Sequence, residues 1–126
     1  MSAVVLTIAL LLQPAAQDPD GRLWVVVGKP GLTRLVYASP KVLADRKLTA
    51  RMLYYSMIDI PGPVAQVFVF DDRGFTPANL PMTDAQMKHW RVRYNRNRNT
   101  KLEEFVWVAW AGGKTKERPD TIRPAK

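Results

Sequence analysis

Thr83-Asp84-Ala85-Gln86-Met87-Lys88-His89-Trp90-Arg91-Val92-Arg93-Tyr94-Asn95-Arg96-Asn97-Arg98-Asn99-Thr100-Lys101, residues 83–101, is the stretch on which the fold turns. It opens with the best helix-start signal in the chain. Thr83 and Gln86 have the spacing of a capping box, in which the hydroxyl takes one orphan backbone N–H and the amide side chain answers at the cap. Met82 and Met87 stand where a hydrophobic staple would close across that cap. Met87, Trp90 and Tyr94 follow at i, i+3 and i+7, a narrow apolar stripe at helical spacing. A helix is predicted, with Trp90 and Tyr94 toward the core, its basic residues on a solvated face and the asparagines in the loop beyond its end.

The flanks read more simply. Val64-Ala65-Gln66-Val67-Phe68-Val69-Phe70 precedes it, apolar on both faces except at Gln66, as in a central strand. Asp71-Asp72-Arg73-Gly74 closes that strand as a turn. On the other side Glu104 to Trp110 is a strand, and Gly112-Gly113 ends the domain. Further upstream, Leu23 to Val27 and Leu32 to Tyr37 are strand candidates, with Thr33 and Arg34 exposed. Between them Pro30-Gly31 has the order of a type II turn, so a hairpin is expected. Ser39 followed by Pro40 starts a helix within Lys41 to Ile58, placing Leu48, Met52 and Tyr55 on one face. Ile60-Pro61-Gly62-Pro63 ends it.

The predicted order is strand, strand, helix, strand, helix, strand. Two helices cannot cover both sides of such a sheet. The expected fold is therefore α+β: a small antiparallel or mixed four-stranded sheet with two helices packed on one face. The strands at 64–70 and 105–110 could be joined by a right-handed parallel crossover. The single domain spans residues 23–112, and residues 113–126 are expected to form a basic disordered tail.

Composition limits the chemistry. The chain has 126 residues, a net charge of +8, no cysteine and one histidine, His89. Disulfides, thiolate metal sites, a cysteine nucleophile and any site needing two imidazoles are excluded. No cofactor and no metal ligand set is expected. Asp71 and Asp72 are adjacent, but neighbours on a strand point apart, so turn chemistry is the better reading than a paired-carboxylate site. His89 reads as a helix-surface histidine, since no carboxylate is near it in sequence.

No charged side chain precedes Asp18. The apolar run Ala3–Leu12 is too short for a membrane-spanning helix, which needs about 20 residues, and fits the apolar stretch of a signal peptide. Small residues Ala15 and Ala16 then mark a cleavage point. Residues 1–16 are expected to be a signal peptide and 17–22 a linker. An extracytoplasmic address follows, with no transmembrane helix in the mature chain. The alternative is a cytoplasmic protein in which the run is a buried first strand or helix.

Lys88, Arg91, Arg93, Arg96, Arg98 and Lys101 recur in a segment without a single acid. Guanidinium groups fork onto phosphate or carboxylate, and the interleaved asparagines add neutral donors, so these six are candidate anion-binding residues. Trp90 and Tyr94 are candidate aromatic contacts. Trp107 and Trp110, three apart on a strand, face opposite sides, so one of them is expected on the sheet face without helices. The function expected is a small exported, non-catalytic domain that binds an anionic cell-envelope component or a partner protein through this segment and the basic tail. A nucleic-acid-binding module is the alternative. An enzyme is the weakest reading, because no nucleophile–base pair can be assembled by spacing.

Overall fold

The computed structural model describes residues 23–126. The expected signal peptide and linker lie outside the described residues. Strands β1 (Trp24–Gly28) and β2 (Thr33–Ala38) form the expected antiparallel hairpin, with Trp24 opposite Ala38 and Val26 opposite Val36. Gly31 takes φ +60° in its turn, the left-handed conformation that glycine adopts without strain. Arg34, expected on the surface, is buried. Its guanidinium is held by Asp59 Oδ1 at 3.3 Å and by the carbonyls of Gly31 and Thr33 at 3.1 Å.

Ser39 accepts from the Val42 amide and Pro40 takes the first position of α1 (Pro40–Leu43). Asp45 then accepts from the amides of Lys47 and Leu48 and starts α2 (Arg46–Ser56). The single helix predicted within 41–58 is thus a short turn and a longer helix. Thr49, Met52, Leu53 and Ser56 form the buried stripe of α2, while Tyr55 is exposed. Strand β3 (Val64–Phe70) follows and runs parallel to β2. The 71–89 connection carries a 3₁₀ turn (Arg73–Phe75) and α3 (Asp84–Met87). Strands β4 (Trp90–Asn97), β5 (Leu102–Ala111) and β6 (Lys114–Asp120) complete one mixed sheet in the order β1-β2-β3-β4-β5-β6.

This overturns the four-stranded sheet with two packed helices: among the described residues the sheet has six strands, and of the three helices only α2 is longer than a single turn. Two local readings caused the error. The capping box at Thr83 is real, with Gln86 N–H donating to Thr83 Oγ1 at 3.1 Å and Thr83 N–H to Gln86 Oε1 at 2.8 Å. The helix it starts ends at Met87. From Trp90 the residues alternate Trp-Arg-Val-Arg-Tyr-Asn-Arg-Asn, and the period of two prevails over the period near 3.6 because strands flank it on both sides. β4 then separates β3 from β5, so the parallel crossover between them does not form.

The expected disordered tail is also corrected. Gly112 and Gly113 take φ +63° and +78° and turn the chain into β6, which pairs antiparallel with β5 from Lys114–Ala111 to Asp120–Phe105. β6 carries no hydrophobic pattern because it is an edge strand, and Pro119 is tolerated there for the same reason. Ile122 is buried in the core beyond its end, and Ala125 N–H donates to Ala50 O on α2 at 3.1 Å.

On one face α2 packs on the main core, built from Val36, Ala38, Ala65, Val67, Val69, Val92, Tyr94 and Phe105 with Met52, Leu53 and Met57. On the other, Leu35, Phe68 and Phe70 pack with Trp90 and with Met82 from the 71–89 connection. That connection passes so close to β1 that a Cβ on Gly28 would collide with the Ala78 carbonyl. Beside this cluster a row of polar side chains crosses the sheet. Thr33 donates to Gln66 at 3.1 Å, Gln66 to Asn95 at 2.7 Å, and Asn95 to Glu104 at 3.3 Å. Arg93 then bridges Glu104 and Glu117, at 2.8 Å each.

Candidate anion-binding cleft

Strand alternation divides the basic segment between the two faces. Arg93 lies opposite Phe68 and Val106, on the face away from α2. It is committed there to Glu104 and Glu117, and Arg93 with Asn95 holds the Glu104 carboxyl below its ordinary range. Arg91 is committed to Asp71 Oδ2 at 2.8 Å. Lys88 is exposed after α3, before the start of β4. None of these three joins a common site.

Arg96 lies opposite Ala65 and Glu103, on the α2 face. With Arg98 and Lys101 of the β4–β5 turn it lines an open cleft of about 620 Å³. Tyr54, Met57 and Ile58 from the end of α2 form the facing wall, and Tyr94, Leu102 and Glu103 the floor and near side. Arg123 and Pro124 close the rim, brought there by β6, whose far end lies beside the beginning of β5. Arg123 was not singled out in sequence, because its place depends on β6.

The charges of the cleft are unbalanced. Glu103 is the acid lining it, and it is already engaged: Tyr94 Oη donates to Oε2 at 2.8 Å and Arg123 Nε sits 3.2 Å from Oε1. Burial pushes the Tyr94 hydroxyl well above its ordinary value, and the bond to Glu103 adds to the effect. Arg96 donates from Nη2 to the Gly62 carbonyl at 3.2 Å, and its buried Nε has no partner among the described residues. Among the described residues neither Arg98 nor Lys101 has an acidic partner. Lys101 also has φ +61°, the left-handed region that a β-carbon disfavours.

The aromatic candidates fall into different roles. Tyr94 is fully buried as part of the core. Trp90 packs on Phe68 with ring centroids 5.0 Å apart and donates to the Val92 carbonyl. Trp107 donates to Asp120 Oδ2 at 2.8 Å and lies under Arg118, whose guanidinium carbon is 5.8 Å from the ring centre. Trp110 sits opposite Thr115 on the face away from α2, so the two strand tryptophans do face opposite sides.

A second constellation was not visible in sequence. Asp71 Oδ1 lies 2.9 Å from His89 Nδ1, and Phe75 stacks on the imidazole with centroids 4.5 Å apart. The partners are eighteen positions apart and meet because β3 and β4 are neighbours. Asp72 has a different job: it accepts from the Gly74 amide and caps the 3₁₀ turn. Among the described residues no group of three His, Asp or Glu side chains is placed to hold a metal ion, and no helix is long and apolar enough to cross a membrane. Comparison with protein-family models, with curated proteins and with solved structures gives no match.

Proposed function

We propose that this chain is a small binding domain, without catalytic activity, that takes an anionic group in the cleft between α2 and the β4–β5 turn. One observation carries the reading: Arg96, Arg98 and Lys101 converge on the cleft without a carboxylate partner, whereas Arg91 and Arg93 are each neutralised within the fold. Guanidinium forks and an ammonium group at the mouth of a half-apolar cleft suit phosphate or carboxylate. The Tyr94 hydroxyl is spent on Glu103, and burial raises its pKa, so it is a poor proton donor near neutral pH, which supports binding over catalysis in this cleft. The apolar run at residues 3–12, followed by Ala15 and Ala16, supports export of the mature domain.

Titration of the isotope-labelled protein with inorganic tripolyphosphate, followed by amide chemical shifts, tests the site. Shifts are expected at Arg96, Arg98, Lys101 and Arg123. Shifts centred on Lys114 and Lys116 instead, or no saturable shift anywhere, would remove the cleft as the site.

A further inference from the structure

The cleft opens at one end of the sheet, and that end has a composition of its own. The topology brings three separate connections there: the turn into β2, the passage from α2 to β3, and the β4–β5 turn. Each presents a large apolar side chain to solvent. Leu32 is 50% exposed, Ile58 63% and Leu102 48%. The surface between them is continuous, since Leu102 and Arg96 border both the cleft and the adjoining hollow that reaches Leu32. Arg96, Arg98 and Lys101 stand among these apolar tips.

We propose that this end of the molecule docks on an anionic lipid bilayer, with the cleft receiving a lipid phosphate and the three apolar tips entering the headgroup layer. The inference rests on the anion-binding reading of the cleft and adds its source. Charge complementarity favours the bilayer: Arg96, Arg98 and Lys101 lack acidic partners among the described residues, and an anionic membrane supplies a field of phosphates. The pattern distinguishes it from a protein partner. Protein interfaces gather apolar side chains into a central patch depleted of charge, with the charges at the rim. Here cations and apolar tips are interleaved, which suits a boundary where hydrocarbon and phosphate lie within a few ångströms of each other. Apolar contact and charge contribute together, and neither alone holds a protein firmly on a membrane.

Co-sedimentation of the domain with vesicles tests the proposal. Vesicles of phosphatidylcholine with phosphatidylglycerol should bind it, and pure phosphatidylcholine should not. Replacing Leu32→Ser, whose side chain borders the adjoining hollow and not the cleft, should weaken vesicle binding by about fivefold or more, from the apolar area withdrawn. The same variant should bind tripolyphosphate as the wild type does, and its unchanged circular dichroism would show that this exposed position does not carry the fold. Arg98→Gln with Lys101→Gln should weaken binding of both ligands. If the serine variant binds anionic vesicles like the wild type, or the wild type binds tripolyphosphate but no vesicle, the bilayer is the wrong source. Preference for a soluble acidic peptide over vesicles would overturn it in the same way. Failure of the wild type to bind tripolyphosphate would instead remove the cleft reading beneath it.

Discussion

Removing Arg98 and Lys101 together should change how binding to a polyanion responds to salt. Single-stranded DNA is a calibrated probe for this purpose, because each phosphate neutralised adds about −0.7 to the slope of log affinity against log salt. Three cleft cations lack an acidic partner, and Arg123 is largely offset by Glu103. Three neutralised phosphates predict a slope of about −2, or a loss of roughly 20-fold in affinity between about 50 and 200 mM salt. Arg98→Gln with Lys101→Gln leaves Arg96, so the slope should fall to about −0.7 and the loss over the same range to about threefold. Lys114→Gln with Lys116→Gln removes the same formal charge from β6, away from the cleft, and should leave the slope close to the wild type. Fluorescence anisotropy of a labelled oligothymidylate, repeated across a salt series, measures all three slopes. A wild-type slope shallower than about −1, or equal flattening by the two pairs, would refute the reasoning and reduce the segment to diffuse surface charge.

Other perturbations separate structure from binding. Thr83→Ala should destabilise the domain by about 0.5–1 kcal/mol through loss of the cap acceptor, and Gln86→Ala by less; an unchanged urea midpoint would show that the one-turn helix contributes nothing. Lys101→Gly relieves a β-carbon at φ +61° and should raise stability by up to about 1 kcal/mol while weakening anion binding, so thermal melts and binding should move in opposite directions. The depressed Glu104 carboxyl stabilises the fold above its unfolded pKa, and that contribution is lost as pH falls through the lower folded value. Arg93→Gln should therefore flatten the decline in melting temperature between about pH 6 and pH 3, and an identical decline in both proteins would dismiss the pair as a source of acid sensitivity.

Much of the architecture was legible from local chemistry. Pro30-Gly31 marked its turn because glycine alone accepts positive φ without strain, and Ser39-Pro40 marked a helix start because the cap and the fixed φ of proline are local properties. The apolar run Val64–Phe70 named itself as a central strand. What failed was the residue run after Met87, where a genuine cap preceded a segment compatible with two periods. Only the pairing of β4 with both β3 and β5 decides between them, and that is a tertiary fact. β6 failed for the opposite reason: an edge strand of charged residues has no hydrophobic signal to read. The site was half legible. Arg96, Arg98 and Lys101 were identified with Lys88, Arg91 and Arg93, but sorting free cations from paired ones requires Asp71, Glu104 and Glu117, which neighbouring strands and the end of β3 supply.

The row of polar side chains that starts at Thr33 crosses the only parallel pairing among the described strands. Everywhere else consecutive strands run antiparallel, so the chain falls into two locally wired pieces, the β1–β2 hairpin and the β3–β6 meander. Within the sheet they close along the β2–β3 seam, and the connection spanning it is the 39–63 stretch with α1 and α2. No turn measures the alignment of β2 on β3. A slip of one position would part Thr33 from Gln66 and swing Arg34 away from Asp59, turning a satisfied buried cation into an orphaned one. Closing this seam pairs residues 33 positions apart, so its loop-closure cost exceeds that of the hairpin turns and it is expected to form after them. Lengthening or stiffening the 39–63 connection is then expected to alter how fast the two pieces find each other, while the arginines and lysine of the cleft, all on the meander side, keep their arrangement.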